Sequence, residues 1–255
     1  MIKLERGSKP EKLSEDAVME LTQKFKNDNS KRVWHKDYLL SALRDMSHNK
    51  CCYCEVKLDK ESNYLTIDHF YNKSKYPDKV VEWENLLPCC QRCNSAKGSH
   101  DTYKIPIIDP TKDDPKEHLY FYNYNYKYFN GSSLGKNTIN VLNLNETERV
   151  LYVRAKVGQT VIEKLEFICE LIDRYIPDGD NVAEKNRIMR EIKGILSSAL
   201  PDKEYSALVA TVILEDENYS TIREKMIQLD LWNTKLDDLE LSAKKICLSR
   251  RDDLR

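Results

Sequence analysis

No run of this sequence is apolar for long enough to span a bilayer, and its first residues, MIKLERGSKPEKLSED, hold no apolar block that would serve as a secretion signal. The reading is therefore a cytoplasmic chain with no membrane partner. Glycine and proline are scarce, at 7 and 8 of 255 residues. There is no Walker-type phosphate loop, no internal repeat and no low-complexity block, so the chain is not its own ATPase. Charge of one sign is lacking too: the formal net charge is −1, which excludes a uniformly basic nucleic-acid binder and shifts attention to local charge. Apolar residues at 40% beside charged residues at 33% describe a globular protein with one or two domains and a sizeable core.

What is present is cysteine, and in a reducing compartment its default use is metal rather than disulfide. Of the eight, four form two C-x-x-C pairs, Cys51 with Cys54 and Cys90 with Cys93. Each pair can bind one ion from a tight turn, and four thiolates close a tetrahedral site that suits a structural zinc. Such a site has no open position for substrate, so chemistry must lie elsewhere. Cys52 and Cys89 each neighbour a ligand, and their role is open. Cys169 and Cys247 fall in helical patterns and read as buried free thiols.

Between the pairs, Asp68 and His69 end an apolar, β-branched run (Tyr64, Leu65, Thr66, Ile67) that reads as a strand. Asn85 follows, and Asn94 comes directly after the last thiolate, where a helix would open through Lys97. Strand, loop, strand and helix would bring Asp68, His69, Asn85 and Asn94 together. From Lys31 to Lys104 there are 13 basic against 10 acidic residues. Within that modest excess Lys73, Lys75, Lys79, Arg92 and Lys97 sit beside the expected site, where a few phosphate contacts suffice for weak binding.

The pattern Cys51, Cys54, Asp68-His69, Asn85-Leu86, Cys90, Cys93, Asn94 and Lys97 resembles the HNH nucleases with a ββα-metal motif, in their four-cysteine zinc subclass. One departure is Asn94, where the family name expects histidine; an amide oxygen can still serve a metal. The phrases IDHFYNKSKYP, NLLPCCQRCNSAKG and IIDP further resemble the HNH subunits of bacterial anti-phage modules, the PtuB-like proteins of Septu systems and their retron-associated relatives. That resemblance covers residues 1 to about 175, most specifically Cys51 to Pro110. It implies an ABC-type ATPase partner of the PtuA kind, joined in retron systems by a reverse transcriptase with its RNA and DNA.

The resemblance implies a metal-dependent endonuclease acting on DNA, or on RNA such as tRNA. His69 would be the general base, since a neutral imidazole takes a proton from water at cellular pH. Asp68 and Asn94 would offer oxygens to Mg²⁺ or Mn²⁺. Asn85 would bridge loop backbone and aim His69. The competing reading is a non-catalytic zinc ribbon that holds nucleic acid or protein; such a module needs the four cysteines but has no use for Asp68, His69 and Asn94.

The expected fold class is α+β, mainly α: a zinc-stapled ββα-metal core at residues 47–112, an N-terminal helical segment at 1–46 packed on its back, and a hairpin with a C-terminal helical region at 113–255 offering a partner surface. Periodicity predicts helices at 11–25 with Ser14 as cap, at 37–46 and at 136–145. A long helix capped by Asn145 and ended by the Pro177–Asp180 stretch follows, then helices at 182–200, 203–214, 220–232 and 235–250. The tyrosine-rich 118–129 stretch predicts a hairpin around Asn123, whose rings either stack on bases or pack as an aromatic strand pair.

Overall fold

The computed structural model describes residues 1–60, 63–178 and 181–249, with only the backbone at 177 and 178. The architecture is α+β and mainly helical, as expected. Among the described residues no helix is long and apolar enough to cross a membrane. Contacts divide the chain into two units. One comprises Met1–His118 with Tyr128–Leu144, the other Leu119–Lys127 with the chain from Asn145 onward.

The first unit opens with α1 (Glu15–Asn27) and α2 (Asp37–Met46). The Ser14 hydroxyl accepts from Ala17 N at 3.2 Å and caps α1. The helix starts at Glu15 rather than at residue 11 because the Ser14 backbone leaves the helical region, with φ of −60° and ψ of 167°; before it Leu13 N closes a turn on the Pro10 carbonyl at 2.8 Å. Leu21, Phe25, Leu39 and Leu43 form the buried stripe of the two helices. Behind them Trp34 packs edge-on against Phe25, with ring centroids 5.8 Å apart.

Strands β1 (Leu65–His69) and β2 (Leu86–Cys90) pair antiparallel, with Asp68 opposite Leu87 and His69 opposite Leu86. Helix α3 (Gln91–Lys97) begins where β2 stops and packs on both strands, while α2 packs on β2. Two strands and seven helical residues cannot bury a sufficient core alone. Zinc-ligand turns, α1 and α2 complete it. Helix α4 (Ser133–Val141), which the sequence reading assigned to the C-terminal region, clusters with this unit. Thr138 Oγ1 accepts from Ile108 N at 2.7 Å. Gly135 approaches the His118 carbonyl so closely that an added Cβ would lie 2.5 Å from its oxygen, so no larger residue fits.

The second unit holds, as far as Lys127, the hairpin β3 (Leu119–Tyr122) and β4 (Asn125–Tyr128), turned at Asn123 and Tyr124, both in the left-handed region with φ of 46° and 61°. Phe121 and Tyr126 are buried with centroids 4.4 Å apart, and Arg154 lies over Tyr126, so these rings are core; Tyr122 and Tyr128 face solvent. Helices α5 (Tyr152–Asp178), α6 (Val182–Ser198), α7 (Ser206–Glu215), α8 (Glu217–Gln228) and α9 (Thr234–Ile246) follow. Helix α7, SALVATVILE, is buried on nearly every face, with α5, α6, α8 and α9 against it.

Two expectations change here. Asn145 does not cap α5. Its amide instead bonds both backbone groups of Tyr126, each at 2.8 Å, while Glu146 caps a π-helical turn, Thr147–Leu151, that leads into α5. The last helix ends at Ile246 because Leu248 N leaves the helical ladder for Thr211 Oγ1, at 2.8 Å. Residue 250 and the expected break at 179–180 lie outside the described residues.

Candidate active site and zinc centre

The two C-x-x-C turns are built differently. In the first, Glu55 takes a left-handed φ of 63° so that its N–H reaches the Cys51 carbonyl at 3.0 Å, and Cys51 N closes on Val56 O at 2.9 Å. Cys52 N binds the Pro88 carbonyl at 2.9 Å, fastening this turn to β2. In the second, Cys90 is the N-cap of α3, with its sulfur 3.5 Å from Cys93 N. The sulfurs of Cys51, Cys54, Cys90 and Cys93 are buried and all lie within 4.8 Å of one another, with Cys54 and Cys90 Sγ 3.7 Å apart.

A tetrahedron of zinc–sulfur bonds near 2.3 Å has edges of about 3.8 Å, so this cluster fits one zinc ion. The Arg92 guanidinium donates to Cys93 Sγ at 3.1 Å and offsets part of the excess thiolate charge. Cys52 and Cys89 stand outside the cluster, and burial pushes both thiols well above their ordinary range. Cys89 has a different task. Thr66 Oγ1 donates to the Cys89 carbonyl at 2.9 Å, with Cys89 Sγ 3.2 Å from the same hydroxyl oxygen.

Strand alternation places Thr66 and Asp68 on one face of β1 and Ile67 and His69 on the other. On the first face, Asp68 is buried with both oxygens engaged: Oδ1 accepts from Lys97 Nζ and Oδ2 from the Tyr53 hydroxyl, at 2.7 and 2.6 Å. Lys97 Nζ also donates to the His69 carbonyl at 2.7 Å. Asn94, one helical turn before Lys97, donates its amide N–H to Thr66 Oγ1 at 3.3 Å. Because the Thr66 proton is spent on Cys89 O, the nitrogen side of that amide must face Thr66, and its oxygen points away. Asp68 and Asn94 therefore offer one carboxylate and one amide oxygen, the hard donors that Mg²⁺ or Mn²⁺ takes. The pocket already stabilises a cation, the Lys97 ammonium.

On the second face, His69 is 5% exposed and packs edge-on against Trp34, with centroids 4.7 Å apart. Burial, with the nearby Lys73 charge, lowers its pKa to about 4, so the ring is neutral at cellular pH. Its Nε2 lies 2.9 Å from the Val80 carbonyl. A carbonyl only accepts, so Nε2 carries the proton and the lone pair stands at Nδ1.

Asn85 holds the loop that supplies this carbonyl. Its Oδ1 accepts from Tyr71 N at 2.6 Å, and its Nδ2 donates to the Tyr71 and Lys79 carbonyls at 3.2 and 2.8 Å. Both ends of the β1–β2 loop are thus pinned by one buried amide, one residue before Val80 and two after His69.

The expected phosphate contacts divide. Lys97 is corrected to a buried ion-pair partner of Asp68, with a side chain 1% exposed. Arg92 is corrected to the zinc centre and to the Leu142 and Asn143 carbonyls, at 3.4 and 3.1 Å. Lys73 is half-buried with its ammonium 5.0 Å from the Trp34 ring centre, and Lys75 reaches Asp101 at 3.3 Å. Those two remain at the open side of the loop.

A family model described as HNH endonuclease matches residues 51–100, the interval that holds both cysteine pairs, β1, β2 and α3. The Septu protein PtuB of Bacillus thuringiensis is 42% identical over 248 residues, covering 96% of this chain and 94% of that protein. This chain belongs to the PtuB family. A second relative, the Septu protein PtuB of Bacillus mycoides (strain KBAB4), is 27% identical over 212 residues, covering 67% of this chain and 71% of its own. With the HNH match, membership makes the chain an endonuclease.

For this PtuB-family chain, sequence reasoning missed Tyr53 and the Asp68–Lys97 pair. The only available signals were a tyrosine inside the first C-x-x-C turn and a lysine three residues beyond Asn94. It also missed Val80, which acts through its carbonyl and so leaves no side-chain signature.

Proposed function

We propose that this chain is the nuclease effector of a Septu-type anti-phage module, a metal-dependent HNH endonuclease that hydrolyses phosphodiester bonds of DNA, or of RNA such as tRNA. One observation carries the reading: a buried, neutral His69 whose Nε2–H is tied to Val80, next to a carboxylate whose counter-charge is a cation. A zinc ribbon with no chemistry has no use for either feature.

In the proposed reaction His69 Nδ1 takes a proton from water as the water oxygen bonds to phosphorus. The phosphorus–oxygen ester bond then breaks and its electron pair leaves with the departing oxygen, which is protonated from solvent. Asp68 and Asn94 would hold the Mg²⁺ or Mn²⁺, which would supply neutralisation of the charge developing on the phosphate and the leaving oxygen. Asn85 keeps Val80 and Tyr71 in place, which orients the imidazole without touching substrate. Lys73 and Lys75 stand where a phosphate backbone passes along the loop.

The partner belongs to the same proposal. An ABC-type ATPase of the PtuA kind, with a reverse transcriptase and its nucleic acid in retron-associated relatives, would dock on the helices after Asn145, which among the described residues carry no second catalytic constellation. Truncation there is expected to abolish co-purification with the ATPase. Cleavage of plasmid and of total RNA, with Mg²⁺, Mn²⁺ or EDTA and with His69→Ala as control, tests the reading. Equal cleavage by wild type and His69→Ala overturns the assigned base, and wild-type protein with its ATPase that cuts neither polymer overturns the nuclease.

A further inference from the structure

Three tyrosines of the first unit stand together outside the machinery described so far. Ring centroids are 5.9 Å apart for Tyr71 and Tyr76, 6.4 Å for Tyr71 and Tyr103, and 6.1 Å for Tyr76 and Tyr103. Tyr103 is 72% exposed, and exposed Ile105 lies two residues beyond it. Aromatic side chains grouped at a surface forgo the burial that ordinarily holds them, and such patches mark interaction sites.

This cluster is also built rather than incidental. The Asp101 carboxylate accepts from the Tyr76 hydroxyl at 3.0 Å, from Tyr103 N at 3.2 Å and from Lys75 Nζ at 3.3 Å, tying two chain segments beneath the rings. The backbone of Tyr71 is held on both sides by the Asn85 amide.

Charge decides which partner it suits. Lys79 and Lys112 place ammonium groups 5.4 and 6.0 Å from the Tyr71 ring centre. Lys75, Lys79 and Lys112 pair with Asp101, Glu82 and Asp109, but each lysine side chain is 40% exposed or more. The Lys79–Glu82 pair is exposed on both sides and weak, so a phosphate can replace that carboxylate at little cost; Asp101 and Asp109 are buried, so Lys75 and Lys112 keep those pairs and turn their remaining ammonium donors outward. Rings flanked by exposed lysines suit a ligand that alternates flat π-faces with anions, which is a nucleic-acid strand with unpaired bases. Base-paired duplex keeps those faces stacked on each other.

We propose that Tyr71, Tyr76 and Tyr103 form a stacking platform for an unpaired base of the substrate, flanked by Lys75, Lys79 and Lys112 on its phosphates. This rests on the nuclease reading and narrows the substrate class to strands that are single or locally unpaired. Tyr71 follows His69 by two residues in a loop clamped by Asn85, so a base seated there lies on the strand segment next to the cleaved bond.

The test is fluorescence anisotropy on the full-length chain without added Mg²⁺ or Mn²⁺, with a fluorescein-labelled 12-nucleotide single strand of mixed sequence and with an abasic strand of equal length and charge. The mixed strand is expected to bind at least about tenfold more tightly than the abasic one. Tyr103→Ala should bring the two together, and Tyr103→Trp should keep them apart. Tyr103 is exposed, so its variants should fold, which their zinc content checks. Equal binding of both strands by wild type overturns the platform, as does unaltered discrimination in Tyr103→Ala. Loss of ATPase co-purification in Tyr103→Ala with strand binding unchanged overturns it in favour of a protein surface. If these results overturn the platform while wild type still cuts and His69→Ala does not, the nuclease reading stands without it.

Discussion

The two units of this chain bury different things. The first buries Lys50, Glu55, Asp68, His69, Asn85, Lys97 and Asp109 as well as four cysteine sulfurs, with modest apolar helices behind them. In the second, α7 buries Ala207, Leu208, Val209, Ala210, Ile213 and Leu214 in the middle of a helical bundle. The lesson is one of what each must do. A site that moves protons and holds ions needs buried polar groups, each of which costs stability unless paired, so the site is stapled by metal. The helical unit buries fewer charges, Arg154 and Glu240 among them, and is held mainly by apolar packing.

The largest expected effect separates the units outright. Stripping zinc with a strong chelator, or making Cys54→Ser or Cys93→Ser, removes on the order of 10 kcal/mol from the first unit. Solubility and near-ultraviolet signal should fall while much of the helical circular dichroism persists, and elemental analysis of wild type should give about one zinc per chain. Soluble, fully folded protein without zinc would remove the contrast.

His69→Ala should reduce cleavage by at least about a hundredfold while leaving zinc content near wild type, because it touches no sulfur; the gap beside Trp34 and the unbonded Val80 carbonyl should cost about 1 to 3 kcal/mol of stability. Asp68→Ala and Asn94→Ala should also fail, through weaker ion binding, and excess Mn²⁺ should partly restore them but not His69→Ala. Leu208→Ala, in the heart of α7, should cost about 2 to 5 kcal/mol in denaturant unfolding with no change in zinc content. A loss of zinc there would show that the two units do not stand apart energetically.

The smallest effect is the most specific. Lys97→Met leaves Asp68 buried without its counter-charge, which lowers the melting temperature of the zinc-loaded protein without added Mg²⁺ or Mn²⁺. It should also strengthen Mn²⁺ binding by about tenfold in calorimetry, since the ammonium no longer competes for the carboxylate. Unchanged or weaker Mn²⁺ binding would show that Lys97 supports the ion's site rather than filling it.

The ligand register was legible because only Cys51, Cys54, Cys90 and Cys93 make two symmetric pairs, and their sulfurs do converge. Helix periodicity likewise announced α1, α2 and the helices after residue 181, to within a few residues at their ends. Asn145 misled because an asparagine before two glutamates reads as a cap, whereas its amide serves the hairpin's Tyr126. Lys97 and Arg92 misled for a related reason. A basic residue beside a nuclease site looks like a phosphate contact until the carboxylate or thiolate it pairs with is known.

By itself, then, the sequence determined what is local or set by spacing: the zinc ligands, the turns that present them, the strand ending in Asp68 and His69, and the amphipathic helices. Tertiary structure alone decided the rest. The proton on His69 is placed by the Val80 carbonyl, 11 residues away, and the charge on Asp68 is answered by Lys97, 29 residues away. Neither partner has a signature in the chain, because a carbonyl belongs to every residue and a lysine's pairing depends on where the fold buries it.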